Sequence, residues 1–279
     1  MPLLKNNANI YGITIDQVEF SSVTQGEGNS ILNVGHIQTI SFTNATFTNV
    51  TSFDEGDETS GILLISTLDL NSQFNIGINN IHISNSSTNF ISYGSIVNTP
   101  PTIKHIEISN FTYTDSYIRT DRKLLSTDGI EVGQNLLLIL RLITFNNISY
   151  YNTGSLISFG HQIFDHAQVT GLVCVKITSG KVYLKSTNQQ NTDLLTRVHI
   201  SNSIFDNVDN QYSSLIITEQ GGRLNVTNSS FTNIYTFGEG AVVSAGATAT
   251  EVNFHDVMFS NNSAVSGALF HIETESLVR

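Results

Sequence analysis

The chain has 279 residues, enough for one large domain with a sizeable core, and no apolar run in it is long enough to span a bilayer. Its formal net charge of −11 argues against nucleic acid and anionic membranes as partners. Asn, Ser and Thr supply about a third of the residues, with no Trp and only 3 Pro, a mixture poor for helices and suited to strands joined by tight polar turns.

Taken in chain order, one pattern recurs. Its anchors are Phe20, Phe47, Thr88 in a degenerate copy, Tyr113, Phe145, Phe205, Phe231 and Phe259. Seven residues before them stand Ile13, Ile40, Ile81, Ile106, Leu138, Val198, Leu224 and Val252. Five before stand Ile15, Phe42, Ile83, Ile108, Leu140, Ile200, Val226 and Phe254. The residue between these two columns is polar in all copies but Ile139, which is the period-two signature of a strand with one face buried. A third apolar column lies three after the anchor in six of the eight copies, at Val23, Val50, Ile91, Ile148, Val208 and Ile234. A second strand motif, entered through Gly or Ser, reads Gly61-Ile62-Leu63-Leu64, Gly94-Ser95-Ile96-Val97, Gly154-Ser155-Leu156-Ile157, Ser213-Ser214-Leu215-Ile216, Gly240-Ala241-Val242-Val243 and Gly267-Ala268-Leu269-Phe270.

A unit of this length with short strands cannot bury its own face and must stack on its neighbours. The expected fold is all-β: a right-handed parallel β-helix of roughly ten coils at about 4.8 Å each. It is read as a single β-helix domain over 1–279. The wider gap between Phe145 and Phe205 is expected to hold longer turns or a degenerate coil around Val175, Ile177 and Val182. Cys174 reads as a small buried hydrophobe, so disulfides do not hold the fold. No signal peptide opens the chain; either a leader has been removed or the chain is part of something longer.

Three residues before the anchors, Asn44, Asn85, Asn110, Asn202 and Asn228 form a column at the bend between strands, where Asn tolerates a left-handed backbone. These are expected to be a structural Asn ladder with largely buried side chains. Together the columns resemble the right-handed β-helices of the pectin-lyase-like superfamily, whose coils carry an Asn ladder at such a bend. More narrowly, Phe259-Ser260-Asn261-Asn262 followed by Ser266-Gly267-Ala268-Leu269 is similar to the polymorphic outer-membrane protein repeat. The resemblance implies a secreted or surface-exposed protein, adhesive or structural, in a fold that also hosts carbohydrate-active enzymes.

Candidate chemistry is sparse. Ser126-Thr127-Asp128-Gly129-Ile130-Glu131 resembles the Asn-Thr-Asp-Gly motif of polygalacturonases, which use paired carboxylates, and Gly160-His161 echoes their Gly-His-Gly. The remaining acidic pair and the Arg-x-Lys of that family have no counterpart, and Asp128-Gly129 is also an ordinary turn. His161, Asp165 and His166 lie close together without the further ligand a metal site needs. His82 and Glu107 are placed in one outward column on successive coils. No catalytic residue, metal or cofactor is assigned.

Glycosylation sequons begin at Asn44, Asn49, Asn85, Asn110, Asn147, Asn225, Asn228 and Asn261. Asn225, Asn49, Asn147 and Asn261 are expected to be the better acceptors, and Asn44, Asn85, Asn110 and Asn228 the poorer ones because of their place in the ladder. The leading expectation is a non-catalytic extracellular or cell-surface structural or adhesive protein. Its partners would be other copies or neighbouring β-helix segments end to end, as in a filament, with carbohydrate a further candidate. A polysaccharide-degrading enzyme and a carbohydrate-binding module are the alternatives.

Overall fold

The computed structural model describes residues 4–5, 10–25, 31–35, 37–52, 62–67, 73–88, 91–93, 102–118, 125–126, 136–150, 157–158, 164–178, 184–186, 197–210, 214–218, 223–246, 251–267, 269–272 and 277–278. Among these residues all regular structure is β-strand, and the strands pair in parallel. The largest sheet stacks Ile10–Ser21, Ile37–Thr48, Gln73–Ser84, Thr102–Ile118, Leu136–Tyr150, Phe164–Thr178, Arg197–Ser201, Arg223–Thr227, Glu251–His255 and Leu277–Val278 in that order. A second side stacks Leu4–Lys5, Leu32–Gly35, Leu63–Thr67, Ile91–Tyr93, Leu125–Ser126 and Ile157–Ser158. Leu184–Ser186, Ile216–Thr218, Val243–Ala245 and Phe270–Ile272 form a further stack. Strands paired only with the next turn of the same chain make a parallel β-helix, in which one turn consumes between 26 and 36 residues.

Two corners of each coil share one construction. Left-handed residues stand at 17 and 22, 44 and 49, 80 and 85, 110 and 115, 142 and 147, 171 and 176, 202 and 207, 228 and 233, and 256 and 261. Each pair is five residues apart. Most are Asn or Asp, whose short polar side chains ease a positive φ. The exceptions are Gln17, Ser22, Leu142, Lys176 and Gly171.

Inside, the columns form one contiguous core. Phe20 lies on Phe47 with ring centroids 5.1 Å apart, Phe205 on Phe231 at 4.8 Å, and Phe231 on Phe259 at 5.5 Å, all with nearly parallel planes. Register carries this column through Ile83, Tyr113, Phe145 and Cys174 as well. Cys174 is fully buried and unpaired, and burial pushes its thiol well above the usual range.

The expected columns need correction in one coil. Ile40 pairs with Ile76, Phe42 with Ile78 and Phe47 with Ile83, so Ile83 is the anchor of that coil and Thr88 is not. Ile81 still points inward, but beside Ala45 and Phe111. The stretch Ile76-Gly77-Ile78-Asn79-Asn80-Ile81-His82-Ile83-Ser84-Asn85 presents the same strand-then-Asn pattern twice, five residues apart. Counting back from Thr88 therefore lands on the second corner instead of the first. Ile91 moves for the same reason, pairing with Leu63 on the second side. The wide gap after Phe145 holds a further coil, Phe164–Thr178, with Gly171 and Lys176 as its corners. Val182 and the Gly94–Val97 motif lie outside the described residues.

Candidate functional site

A residue at a corner sits between two inward-facing neighbours, as Asn44 does between Phe42 and Ala45, so its own side chain is thrown outward. This overturns the expected burial of the ladder. Asn44, Asn85, Asn110, Asn202 and Asn228 do adopt positive φ, but all five are exposed. The corner side chains bond one another along the outside. The Asn44 amide donates to Asp16 Oδ1 (2.8 Å), and the Asn80 amide to Asn44 Oδ1 (2.7 Å). The Asn147 amide donates to Asp115 Oδ1 (2.8 Å), and the Asn261 amide to Asn233 Oδ1 (2.7 Å).

One device recurs three times. An acceptor just before the first or second corner receives two donors from the next coil. Asp16 Oδ1 accepts the Thr43 hydroxyl at 2.7 Å and the Asn44 amide at 2.8 Å. Asp206 Oδ1 accepts the Thr232 hydroxyl at 2.6 Å and the Asn233 amide at 2.8 Å. Asn79 Oδ1 accepts Ser109 and Asn110, both at 3.1 Å. The hydroxyl and then the amide hold the Asp16 and Asp206 carboxyls below the usual carboxylate range.

The buried polar ladder is made of serine, which the sequence reading missed. Ser86, Ser116, Ser203 and Ser229 each follow a corner residue and point inward. The Ser203 hydroxyl donates to its own coil at Ser201 O (2.9 Å) and accepts the Leu172 N–H of the preceding coil (3.2 Å). Ser229 likewise donates to Thr227 O (2.8 Å) and accepts the Ser203 N–H (3.1 Å). Ser86 and Ser116 repeat this at the second corner, accepting the N–H groups of Val50 (3.1 Å) and Ser86 (3.0 Å). Asn262 serves there too, accepting the Ile234 N–H and donating to Phe231 O, both at 2.9 Å. The available signal was a polar residue in the inward phase directly after Asn or Asp.

Most residues of the proposed chemical motifs fall outside the described ones. Thr127 to Glu131, Gly160 and His161 lie outside the described residues. Asp165 and His166 fall in the strand Phe164–Thr178. His82 and Glu107 are not neighbours: His82 stacks between Thr46 and Thr112, and Glu107 between Gly77 and Ile139. The shifted third coil explains the error. Glu107 instead meets Arg141 at 3.5 Å, a half-exposed pair worth little. Among the described residues there is no group of three or more His, Cys, Asp or Glu able to hold a metal, and no helix long and apolar enough to cross a membrane.

All eight sequon asparagines are exposed. They differ in what their amide nitrogens do. Those of Asn44, Asn110, Asn147 and Asn261 donate to a neighbouring coil. Asn225 accepts from the Asn253 amide through its oxygen at 2.9 Å, leaving its nitrogen outward.

The surface changes along the rod. Thr46 and Thr48, His82 and Ser84, Thr112 and Thr114, and Thr144 and Asn146 occupy matching outward positions in four successive coils. Further on, the first of these columns becomes Val173, Ile204 and, two coils later, Met258. Tyr235 and Phe237 emerge beyond the second corner, 39% and 54% exposed. Within this class, an all-β parallel β-helix, the chain has no assigned family: no family model, no curated protein and no solved structure matches it.

Proposed function

We propose that this chain is a non-catalytic structural and adhesive β-helix of the extracellular space or cell surface. What supports the reading is how its outward polar groups are used. Carboxylates, amides and hydroxyls at the corners bond the next coil instead of converging on a cleft, as at Asp16, Thr43 and Asn44 and again at Asp206, Thr232 and Asn233. Such bracing suits a stiff rod with a polar surface. Assembly end to end is part of the proposal. The core column is only partly covered at Phe20 on one side and at Phe259 on the other. Further coils, or a second copy, would continue the ring stack at the spacing it already has.

The deciding experiment is a reducing-end assay on a panel of polysaccharides, run on the wild type and on Asp128→Asn. No turnover by either is expected. Specific turnover that disappears in Asp128→Asn would overturn the reading in favour of a polysaccharide-degrading enzyme. Negative-stain imaging over a concentration series tests the filament, and monomers at every concentration would remove that part.

A further inference from the structure

Tyr235 and Phe237 alternate with the fully buried Ile234 and Thr236 on the strand Ser230–Glu239, so both rings project from the same outer side. Their centroids lie 5.1 Å apart with planes at 77°, an edge-to-face pair that fixes each ring against the other. The backbone beneath is held at both ends. The Ile234 N–H donates to Asn262 Oδ1 at 2.9 Å, and the Gly238 N–H to Thr236 Oγ1 at 3.0 Å. Gly240, at φ +66, closes the turn through its N–H to Ser266 O at 2.8 Å. This is a preformed platform, which loses little freedom on binding.

Its described neighbours in register are polar but for one on the following coil. Tyr235 is flanked in register by Asp209 on the preceding coil and Ser263 on the next. The strand then runs into Glu239, whose carboxylate meets His271 at 3.0 Å. Val265, 71% exposed, is the one large apolar neighbour on the following coil. With rings of about 150–250 Å² each and roughly half of that exposed, the pair offers on the order of 200 Å². A stable protein interface needs about 800 Å² from each side. A patch of this size is too small for a macromolecular partner.

We propose that Tyr235 and Phe237 form the floor of a binding site for one or two neutral sugar units of an oligosaccharide. A pyranose has C–H faces that lie on aromatic rings and hydroxyls at its rim that bond carboxylate and hydroxyl neighbours, here Asp209 and Ser263. The carboxylates of Asp209 and Glu239, on a chain of net charge −11, disfavour uronates and phosphorylated sugars. One oxygen of Asp209 is buried without a hydrogen-bond partner, and burial holds this carboxyl above its ordinary value. The proposal names a ligand for the adhesive reading and rests on it only to that extent.

The test is NMR titration of the full chain with cellotetraose, chitotetraose and, as the acidic comparison, tetragalacturonate. The expected result is saturable shifts of the Tyr235 and Phe237 ring signals with a neutral tetrasaccharide and none with tetragalacturonate. Tyr235→Ala and Phe237→Ala should each weaken binding about tenfold, the loss of one stacking contact. Tyr235→Phe should retain most of it, and Ile204→Ala, on a different side, all of it. The proposal is overturned if neither neutral probe gives a saturable shift, if only tetragalacturonate does, or if both Ala variants bind as the wild type does. It is also overturned if sedimentation shows a dimer that Phe237→Ala abolishes, since the rings would then serve a second copy. Should the Ala variants fail to fold, the wild-type titration and Tyr235→Phe decide alone. Absence of binding by a folded rod removes this site and leaves the structural reading to the hydrolysis and imaging tests.

Discussion

Replacing Ser203 with Ala removes one buried oxygen and almost no volume, so the cavity contribution is small. The polar consequence is larger. The Leu172 N–H loses its acceptor at 3.2 Å, and Ser201 O loses its donor at 2.9 Å. The Leu172 N–H lies opposite the gap between the strands Arg197–Ser201 and Ile204–Asn210, where the ladder is interrupted, so no backbone partner stands ready for it. An orphaned buried N–H costs about 1–3 kcal/mol, and that is the expected loss. Ser229→Ala should cost a similar amount through the Ser203 N–H. Urea unfolding gives the magnitude, and amide hydrogen exchange gives the location, with Leu172 losing protection first. A loss below about 0.5 kcal/mol, or unchanged protection at Leu172, would refute the claim that serine stands in for a ladder bond.

Other outcomes follow from the same geometry. Ile200→Ala, at a fully buried position, should cost about 2–5 kcal/mol in urea unfolding. Leu142→Asn should stabilise by about 1 kcal/mol, because Leu142 holds a φ of 52° on an exposed corner where Asn is tolerated; a neutral or lower midpoint would refute it. Asp206 is bound more tightly as a carboxylate in the folded state, so its contribution is present above the unfolded carboxylate pKa and fades as pH falls through the lower folded value. Asp206→Asn should flatten the acid limb of a stability–pH curve. Asp209 has the opposite sign: its raised value contributes below the unfolded pKa and is lost as pH rises through the folded one, so Asp209→Asn should stabilise at neutral pH. In a secretory host, glycopeptide mass spectrometry should find glycan at Asn225, whose amide nitrogen is outward, ahead of Asn44 and Asn147, whose nitrogens brace the next coil. Full occupancy at Asn44 with none at Asn225 would reverse that order.

The fold was legible because its core obeys a simple rule. Columns such as Ile13, Ile40, Ile106, Val198 and Leu224 repeat with period-two alternation, and a parallel stack is the arrangement that aligns them all. The register of the third coil was not legible, since Ile76 to Asn85 contains two equally good copies of the pattern and only the neighbouring strands choose between them. The direction of the corner asparagines was misjudged for a geometric reason. Turning a strand takes two successive residues out of the inward phase, and a bend residue is one of them, so Asn85 and Asn110 face solvent while Ser86 and Phe111 face the core. The aromatic platform gave no signal in the sequence, because Tyr235 and Phe237 follow Phe231 in a stretch where every apolar residue could pass for core.

The five-residue step between the two corners holds in nine coils, while the rest of a turn varies in length. A ruler is built into that segment. One residue added between Asn202 and Asn207 would reverse which side chains of that coil face inward, whereas extra residues on the opposite flank only lengthen a loop. Whole coils are therefore interchangeable parts. A turn could be duplicated, deleted or transplanted between positions, provided its two corners and the Asn-Ser or Asn-apolar step behind each of them travel together. Lineages of such a rod can change length by copying turns, and can change what the surface meets by altering loops, without renegotiating the core.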